Sequence, residues 1–207
     1  MKKPNSFKKE HSLYIETGRQ KVLEVLFRYP EMEFGLSQLA EKANVRKANI
    51  GKILEEFQKL DLVQIEKLTK IWRIGANQKS PYFLREKIFY NLNVVYGAIY
   101  ETNFIDFLND YFRNPKAIVL FGSFRKGEDI STSDIDIAIE KDDVRSYTSK
   151  HLEEMVGKNL KKATIRFEQD IGRKIQIHLF NRKNIDLNIF NNIANGIVLS
   201  GFLEVRP

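Results

Sequence analysis

Two aspartates, Asp134 and Asp136, have the spacing in this chain that most directly suggests chemistry. They stand at the start of an alternating apolar run, and side chains of an extended strand alternate between its faces. Both carboxylates should therefore project from one face, about 7 Å apart. Mg²⁺ prefers oxygen ligands, usually one or two carboxylates completed by substrate phosphates and water. The pair predicts a site for a hard divalent cation.

A Gly-Ser pair precedes the aspartates and follows the apolar run of residues 117–121. Gly122 would let the backbone approach a phosphate closely, and the Ser123 hydroxyl and amide could donate hydrogen bonds to it. The pattern predicts a strand, a phosphate-holding turn, a short excursion and a second strand. A strand-turn-strand with two solvated aspartates is the alternative, since Asp is common in turns.

Residues 122–136, GSFRKGEDISTSDID, resemble the signature of the nucleotidyltransferase (polymerase-beta-like) superfamily, which is Gly-Ser, a spacer and Ser-Asp-x-Asp. They look most like its minimal bacterial and archaeal members. The resemblance implies an α/β domain with a small mixed sheet flanked by helices. It also implies Mg²⁺ at Asp134 and Asp136, and a nucleoside triphosphate, expected to be ATP. The implied nucleotide-binding residues are Gly122, Ser123, Lys126 and Ser133, and Arg125 could add positive charge.

The resemblance also implies a third strand with a third carboxylate, and this chain departs from it there. The matching stretch is residues 171–180, and the carboxylate position falls on Gln176. An amide binds metal weakly and cannot act as a general base. His178 shares the face of Gln176 and is the candidate catalytic base, although a packed histidine is the alternative interpretation. Glu168 and Asp170 are candidate substitutes for the missing carboxylate.

Two functions of different class therefore stay open. One is a Mg²⁺-dependent transferase that moves a nucleotidyl group to a hydroxyl of a protein or a nucleic acid. The other is a catalytically degenerate nucleotide sensor, acting as a transcriptional regulator or as an antitoxin-like binding module. The Asp pair favours the first hypothesis, and Gln176 favours the second.

Composition limits the remaining classes. The 207 residues are 43% hydrophobic and 29% charged, which is ordinary for one large or two smaller globular domains. No apolar run approaches the roughly 18 residues of a membrane span, and no signal peptide is readable, so a cytoplasmic protein is expected. The absence of cysteine excludes disulfides and cysteine-ligated zinc. The three histidines, His11, His151 and His178, are scattered and indicate no histidine metal cluster.

The net charge of +7 is concentrated near the N-terminus. Residues 1–80 hold 16 Lys and Arg against 10 Asp and Glu, and residues 81–207 hold 18 against 17. Apolar residues at helical spacing predict three helices before residue 60, followed by short strands at 62–66 and 71–74. The arrangement resembles a winged helix, and winged helices fused to minimal nucleotidyltransferases are known in archaeal and bacterial proteins. The implied DNA-binding residues are Arg46, Lys47, Asn49, Lys52, Lys67 and Lys70. Protein docking or dimerisation is the alternative role.

The polar stretch Gly75–Pro81 predicts a boundary, with a winged helix at 1–76 and the transferase-like domain at 77–207. Two leading helices are predicted at about 82–113, with Thr102 as the cap of the second. They would pack on the sheet or pair with a second copy in a homodimer. Residues 144–167 look helical, and Asn195-Gly196 predicts a helix stop followed by apolar structure.

Overall fold

The computed structural model describes residues 17–68, 71–157 and 162–205, the backbone alone for 162–164. Lys70 and the basic N-terminal tail lie outside the described residues. The chain divides into two compact units, residues 1–83 and 84–207. Helices and two small sheets confirm the predicted α/β class. Within the described ranges, no helix is long and apolar enough to cross a membrane.

The described residues of the first unit form three helices and a three-stranded antiparallel sheet. The elements are α1 (Gly18–Arg28), β1 (Glu33–Phe34), α2 (Leu36–Lys42), α3 (Lys47–Lys59), β2 (Val63–Leu68) and β3 (Ile71–Ala76). The strand order is β1-β3-β2. The three predicted helices and two predicted strands are confirmed, and the additional strand β1 has only two residues, too few for a periodic signal. The core of this unit includes the fully buried Leu26, Leu39, Ile50, Leu54 and Phe57.

The elements that follow are α4 (Pro81–Thr102), α5 (Phe104–Phe112), β4 (Ala117–Phe121), α6 (Gly122–Lys126), β5 (Ile135–Glu140), β6 (Thr148–His151), α7 (Leu152–Val156), α8 (Lys162–Ile171), β7 (Ile175–Phe180), a 3-10 helix (Arg182–Asn184), α9 (Leu187–Ala194) and β8 (Ile197–Gly201). The division between the units falls within α4. In the described part of the second unit, the strands form a five-stranded mixed sheet in the order β6-β7-β5-β4-β8. β5 and β7 are parallel, and the other neighbouring pairs are antiparallel.

The two faces of this sheet are chemically different. Ile135, Ile137 and Ile139 of β5 join a buried cluster with side chains of α4, α5 and α8. Because side chains alternate along a strand, Asp136 lies on the opposite face, with Ala138. That face has a smaller apolar cluster, which includes Phe180 and Ile193. The larger helical core therefore packs on one face of the sheet. The other face has the smaller apolar cluster and, where β4 ends and β5 begins, the polar side chain of Asp136.

The prediction of a helix over residues 144–167 is wrong in its first part. The edge strand β6 (Thr148–His151) pairs antiparallel with β7 before α7 begins. All four β6 residues are polar, so the sequence lacks the apolar alternation that marks a half-buried strand. Thr102 is also not the predicted cap: it ends α4, its hydroxyl donates to the Ala98 carbonyl, and Asn103 precedes α5. The helix stop at Asn195-Gly196 is confirmed.

Candidate active site

Gly122 lies directly against the carboxylate of Asp136. β4 ends at Phe121, which pairs with Asp136 across the antiparallel β4-β5 ladder, and α6 begins at Gly122. The φ angle of Gly122 is 78°, a left-handed value that favours glycine. A Cβ atom placed there would lie 2.0 Å from Oδ2 of Asp136. Only glycine allows this approach between the turn and the carboxylate.

Asp134, the other aspartate of the pair, directly follows a tight turn. Ser133 Oγ accepts a hydrogen bond of 2.9 Å from the Ile130 amide, and the Ser133 amide donates to the Ile130 carbonyl. The Ile135 amide then donates to the Lys174 carbonyl at 2.8 Å, which places β5 beside β7. The side chains of Asp134 and Asp136 are 35% and 26% exposed, so both are partly open to solvent.

The other predicted nucleotide-binding residues lie on α6, next to Gly122. Ser123 and Lys126, together with Arg125, are half-buried on this short helix. The structure therefore places the start of α6 beside Asp136, because β4 and β5 are neighbouring strands of the sheet. The predicted turn after β4 is replaced by one turn and a half of helix, which ends at Gly127 with a φ of 74°.

Gln176 lies next to Asp136, at the position where the family resemblance implies a third carboxylate. Asp136 pairs with Gln176 in the parallel β5-β7 register, and His151 of β6 pairs with Gln176 on its other side. The Gln176 Nε2 donates to Ser149 Oγ at 2.7 Å. Its Oε1 is buried and has no hydrogen-bond partner among the described residues. A free acceptor oxygen therefore accompanies the two carboxylates.

His178 contacts Asp136 directly, and both of its ring nitrogens have partners. Nε2 lies 3.0 Å from Oδ1 of Asp136, and Nδ1 lies 2.5 Å from the hydroxyl of Tyr147. The Phe121 ring meets the imidazole edge-on at 4.8 Å between centroids. The sequence showed no orienting partner for His178, because Tyr147 falls in the stretch predicted to be helical. Burial raises the pKa of Tyr147, the charge of Asp136 raises it further, and a hydrogen bond with Ser149 opposes both.

Asp134 also has a neighbouring imidazole, that of His151. Its Nε2 lies 3.3 Å from Oδ2 of Asp134, and its side chain is 42% exposed. His151 and Asp134 are 17 positions apart, and only the pairing of β6 with β7 brings them together. The sequence therefore offered no signal that each aspartate would have its own histidine.

Glu168 and Asp170 have partners of their own. Glu168 Oε1 accepts from the Ile175 amide at 3.0 Å, and Lys174 Nζ lies 3.4 Å from its Oε2. Asp170 pairs with Arg166 at 3.5 Å, while burial raises the pKa of Asp170 despite that positive neighbour. The Glu168 contacts hold the entry to β7, whereas the Asp170 pair lies within α8. Neither residue forms a metal-binding group with the aspartates among the described residues.

A buried charged cluster fixes the segment between the two motifs. Asp129 and Lys87 are each 1% exposed, with Lys87 Nζ 3.0 Å from Oδ1 of Asp129. Asn91 Nδ2 donates at 2.8 Å both to that oxygen and to the Phe124 carbonyl of α6. Arg173 reaches Oδ2 of Asp129 at 3.5 Å and the Ser131 carbonyl at 2.7 Å. The cluster ties α4, α6 and the entry of β7 to the segment that leads into Asp134.

Comparison with known families agrees with this geometry. Residues 102–201 match the family described as polymerase beta, nucleotidyltransferase. The match supports the nucleotidyltransferase superfamily. No curated protein and no solved structure matches the chain. The matched residues contain the Gly-Ser helix, the Asp pair and the strand of Gln176, and they support nucleotidyl transfer as the general activity of this part of the chain.

The donor atoms of the site suit a cation that takes most of its ligands from water and from substrate phosphates. Among the described residues, no three side chains of His, Cys, Asp or Glu are grouped as a ready metal site. The site offers oxygen donors: two partly exposed carboxylates and, on the neighbouring strand, the buried amide oxygen of Gln176, which has no hydrogen-bond partner among the described residues. This set suits Mg²⁺, which keeps several waters and binds through one or two carboxylates and substrate phosphates.

The predicted DNA-binding residues of the first unit lie at two places. Arg46 caps α3, Lys47 begins it, and both are exposed, as are Asn49 and Lys52. No carboxylate of the described residues forms an ion pair with Arg46, Lys47 or Lys52. Lys67 lies in β2, with its ammonium 4.2 Å from the centre of the Trp72 ring. The start of α3 therefore presents three positive charges to solvent.

Proposed function

We propose that residues 84–207 bind a nucleoside triphosphate with Mg²⁺ and transfer its nucleotidyl group to an acceptor hydroxyl. The carrying observation is the packing of Gly122, the first residue of α6, against Asp136. This packing supports a phosphate site beside that carboxylate. The family match over residues 102–201 supports nucleotidyl transfer in general. ATP is the expected nucleotide, and the acceptor is a hydroxyl of a protein or a nucleic acid.

In this proposal Asp134, Asp136 and the amide oxygen of Gln176 would hold Mg²⁺. The bound cation would neutralise charge on the triphosphate. Gly122 admits the phosphates close to the backbone, while the hydroxyl of Ser123 donates to them. Lys126 adds positive charge from the end of α6, and Ser133 holds the turn that presents Asp134. The acceptor oxygen forms a bond to the α-phosphorus as the bond to pyrophosphate breaks. Its proton passes to solvent, because both ring nitrogens of His178, the base expected from the sequence, already contact Asp136 and Tyr147.

Calorimetric titration of an ATP analogue with Mg²⁺ tests the cation site. We expect Asp134→Ala and Asp136→Ala each to weaken binding at least about 10-fold, since loss of even an outer-shell partner typically costs 10–100-fold in metal affinity. Asp143→Ala provides the matched control, because this carboxylate belongs to the same unit and is 73% exposed. Unchanged affinity in both site variants would refute the assignment. Circular dichroism would establish that the variants remain folded.

The neutral Gln176 supports a second candidate, a nucleotide sensor that has lost transfer. A pyrophosphate-release assay separates the two functions. Transfer predicts release that depends on Mg²⁺ and on Asp136. A sensor binds the nucleotide with the same dependence on Asp136 but releases no pyrophosphate with any acceptor tested, including duplex and single-stranded nucleic acid.

We infer that residues 1–76 form a winged helix that contacts double-stranded DNA. The element order α1, β1, α2, α3, β2, β3 and the exposed charges at the start of α3 support this proposal. Each phosphate contact releases counterions, so affinity should fall steeply with salt. Replacing Arg46, Lys47 and Lys52 together by Ala should reduce the salt slope by about 3, near one for each lost contact.

Gel shifts over a salt series provide the measurement. Lys59→Ala is the control, because this exposed lysine lies at the opposite end of α3. The absence of binding to any duplex at low salt would instead favour the alternative, docking of a partner protein. Binding that is equally salt-dependent in the triple variant would place the DNA contact elsewhere.

A further inference from the structure

Tyr147 belongs to a chain of side chains that ends at the candidate cation site. Its hydroxyl lies 2.5 Å from Nδ1 of His178, and Nε2 of the same ring lies 3.0 Å from Oδ1 of Asp136. Tyr147 precedes β6, and its ring is half-buried against the apolar cluster that contains Phe180. The tyrosine is therefore held in place by packing that is independent of its hydroxyl.

The direction of the hydrogen bonds follows from the chemistry of the three groups. An ionised carboxylate can only accept, so the proton between His178 and Asp136 belongs to Nε2. In a neutral imidazole the other nitrogen is then an acceptor, and the Tyr147 hydroxyl must donate to it. The hydroxyl thereby selects one of the two tautomers of His178. The alternative tautomer would leave an Nε2 lone pair facing the carboxylate.

We propose that Tyr147 is a positioning residue of the cation site, acting through His178 to fix the carboxylate of Asp136. The inference rests on the proposed function, because it assumes that Asp136 binds Mg²⁺. His178 restrains Oδ1, while Gly122 lies against Oδ2 and limits rotation of the group from the other side. Metal-binding side chains are commonly oriented by such outer hydrogen bonds. Tyr147 and His178 would keep one orientation of Asp136 populated before the nucleotide arrives.

Nitrogen NMR of the imidazoles tests the hydrogen bonds without any metal or nucleotide. At alkaline pH, where an imidazole is ordinarily neutral, we expect the Nε2–H tautomer at His178, assigned by the loss of its signals in His178→Ala. Tyr147→Phe removes the hydroxyl alone and should shift His178 toward a mixture of tautomers, with the signals of His151 unchanged. A wild-type His178 in the Nδ1–H form, or signals unaffected by Tyr147→Phe, would overturn the inference.

Calorimetry with Mg²⁺ and an ATP analogue tests the consequence for the site. We expect Tyr147→Phe to weaken binding by about 10-fold, within the usual effect of an outer-shell partner. In the His178→Ala background the same change should have no further effect, because Tyr147 acts only through that ring. Tyr111→Phe is the control: its hydroxyl donates to the Met155 carbonyl in the same unit, and it should bind like the wild type.

The outcomes separate this inference from the proposed function. Equal affinity of wild type and Tyr147→Phe, or full additivity with His178→Ala, would overturn the positioning role even if transfer is real. A wild type that binds no Mg²⁺-nucleotide would refute the proposed function and with it the cation role of Tyr147. The NMR result would still decide whether the hydroxyl sets the tautomer of His178.

Discussion

Gly122→Ala should impair nucleotide binding and transfer in a protein that still folds. The added Cβ would lie 2.0 Å from Oδ2 and 2.8 Å from Cγ of Asp136, whereas real Cβ contacts essentially never fall below 3.0 Å. The carboxylate must therefore move by at least 1 Å, or the turn must shift by as much. Either movement changes the position of the Asp136 carboxylate relative to the start of α6.

The magnitudes follow from two separate effects. A left-handed φ of 78° costs a residue with a Cβ about 1–2 kcal/mol. Displacing Asp136 also strains its hydrogen bond with His178, and hydrogen bonds to charged groups contribute about 1.5–3 kcal/mol. For the reaction, a misplacement near 1 Å can cost about 10²-fold in rate. We therefore expect roughly 10²-fold slower pyrophosphate release in a protein that remains folded.

Three variants isolate the clash from backbone strain. Gly157 also has a positive φ, 49°, and a Cβ added there meets nothing within 4 Å, so Gly157→Ala should lose stability but retain transfer and binding. In the Asp136→Ala background, Gly122→Ala should retain only its backbone strain and cost less free energy of unfolding. The reasoning is refuted if Gly122→Ala transfers at the wild-type rate, or if its cost in stability is the same with and without the Asp136 carboxylate. Urea unfolding and pyrophosphate release provide both measurements.

Three further predictions concern charges. Gln176→Asp should strengthen Mg²⁺ binding but lower the melting temperature without Mg²⁺, because a third carboxylate repels the first two; equal melting temperatures would contradict this. Asp129→Asn should cost about 3–5 kcal/mol in urea unfolding, because it removes the buried negative charge 3.0 Å from the Lys87 ammonium. Lys87→Met in that background should cost less than it does alone, and additive losses would argue against the pairing. Asp170 has a raised folded pKa, so its contribution to stability is present below the ordinary value near 4 and is lost as pH rises through the folded value. Asp170→Asn should therefore gain stability relative to wild type between about pH 4 and pH 7, and a constant difference would contradict the pKa direction.

The part of the site formed by residues 117–136 could be predicted, because the residues that determine it are consecutive in the sequence. The spacing of Asp134 and Asp136 determines a shared face once β5 is recognised, and the apolar run before Gly122 determines where β4 ends. The position of Gln176 came from the resemblance to a family, and the register Asp136–Gln176 agrees with it. Strand order could not be read from spacing alone, since it depends on how separate strands pair.

The long-range part of the site could not be predicted in the same way. Tyr147 and His151 reach the aspartates through β6, whose four polar residues carry no apolar alternation. The pair Lys87–Asp129 joins residues 42 positions apart. One signal was available: Lys87 and Asn91 interrupt an apolar stripe of α4 between Phe83 and Val95, at i+4 spacing. A charged residue in such a stripe indicates a buried partner, but the sequence does not say which.

The charges around the Asp pair imply an order of binding. Without a third carboxylate, the two aspartates supply at most two negative charges, and each already has an imidazole nitrogen within 3.3 Å. Mg²⁺ loses its water reluctantly, so this small charge and the neutral oxygen of Gln176 should hold the free cation weakly. Triphosphate oxygens would add the missing charge and ligands, and the cation should enter with the nucleotide. We therefore expect calorimetry to show weak binding of Mg²⁺ alone and at least about 10-fold tighter binding when the ATP analogue is present, the size of an ordinary coupling between two ligands. Tight binding of Mg²⁺ in the absence of nucleotide would contradict this order, and it would show that the side chains of the site complete the coordination on their own.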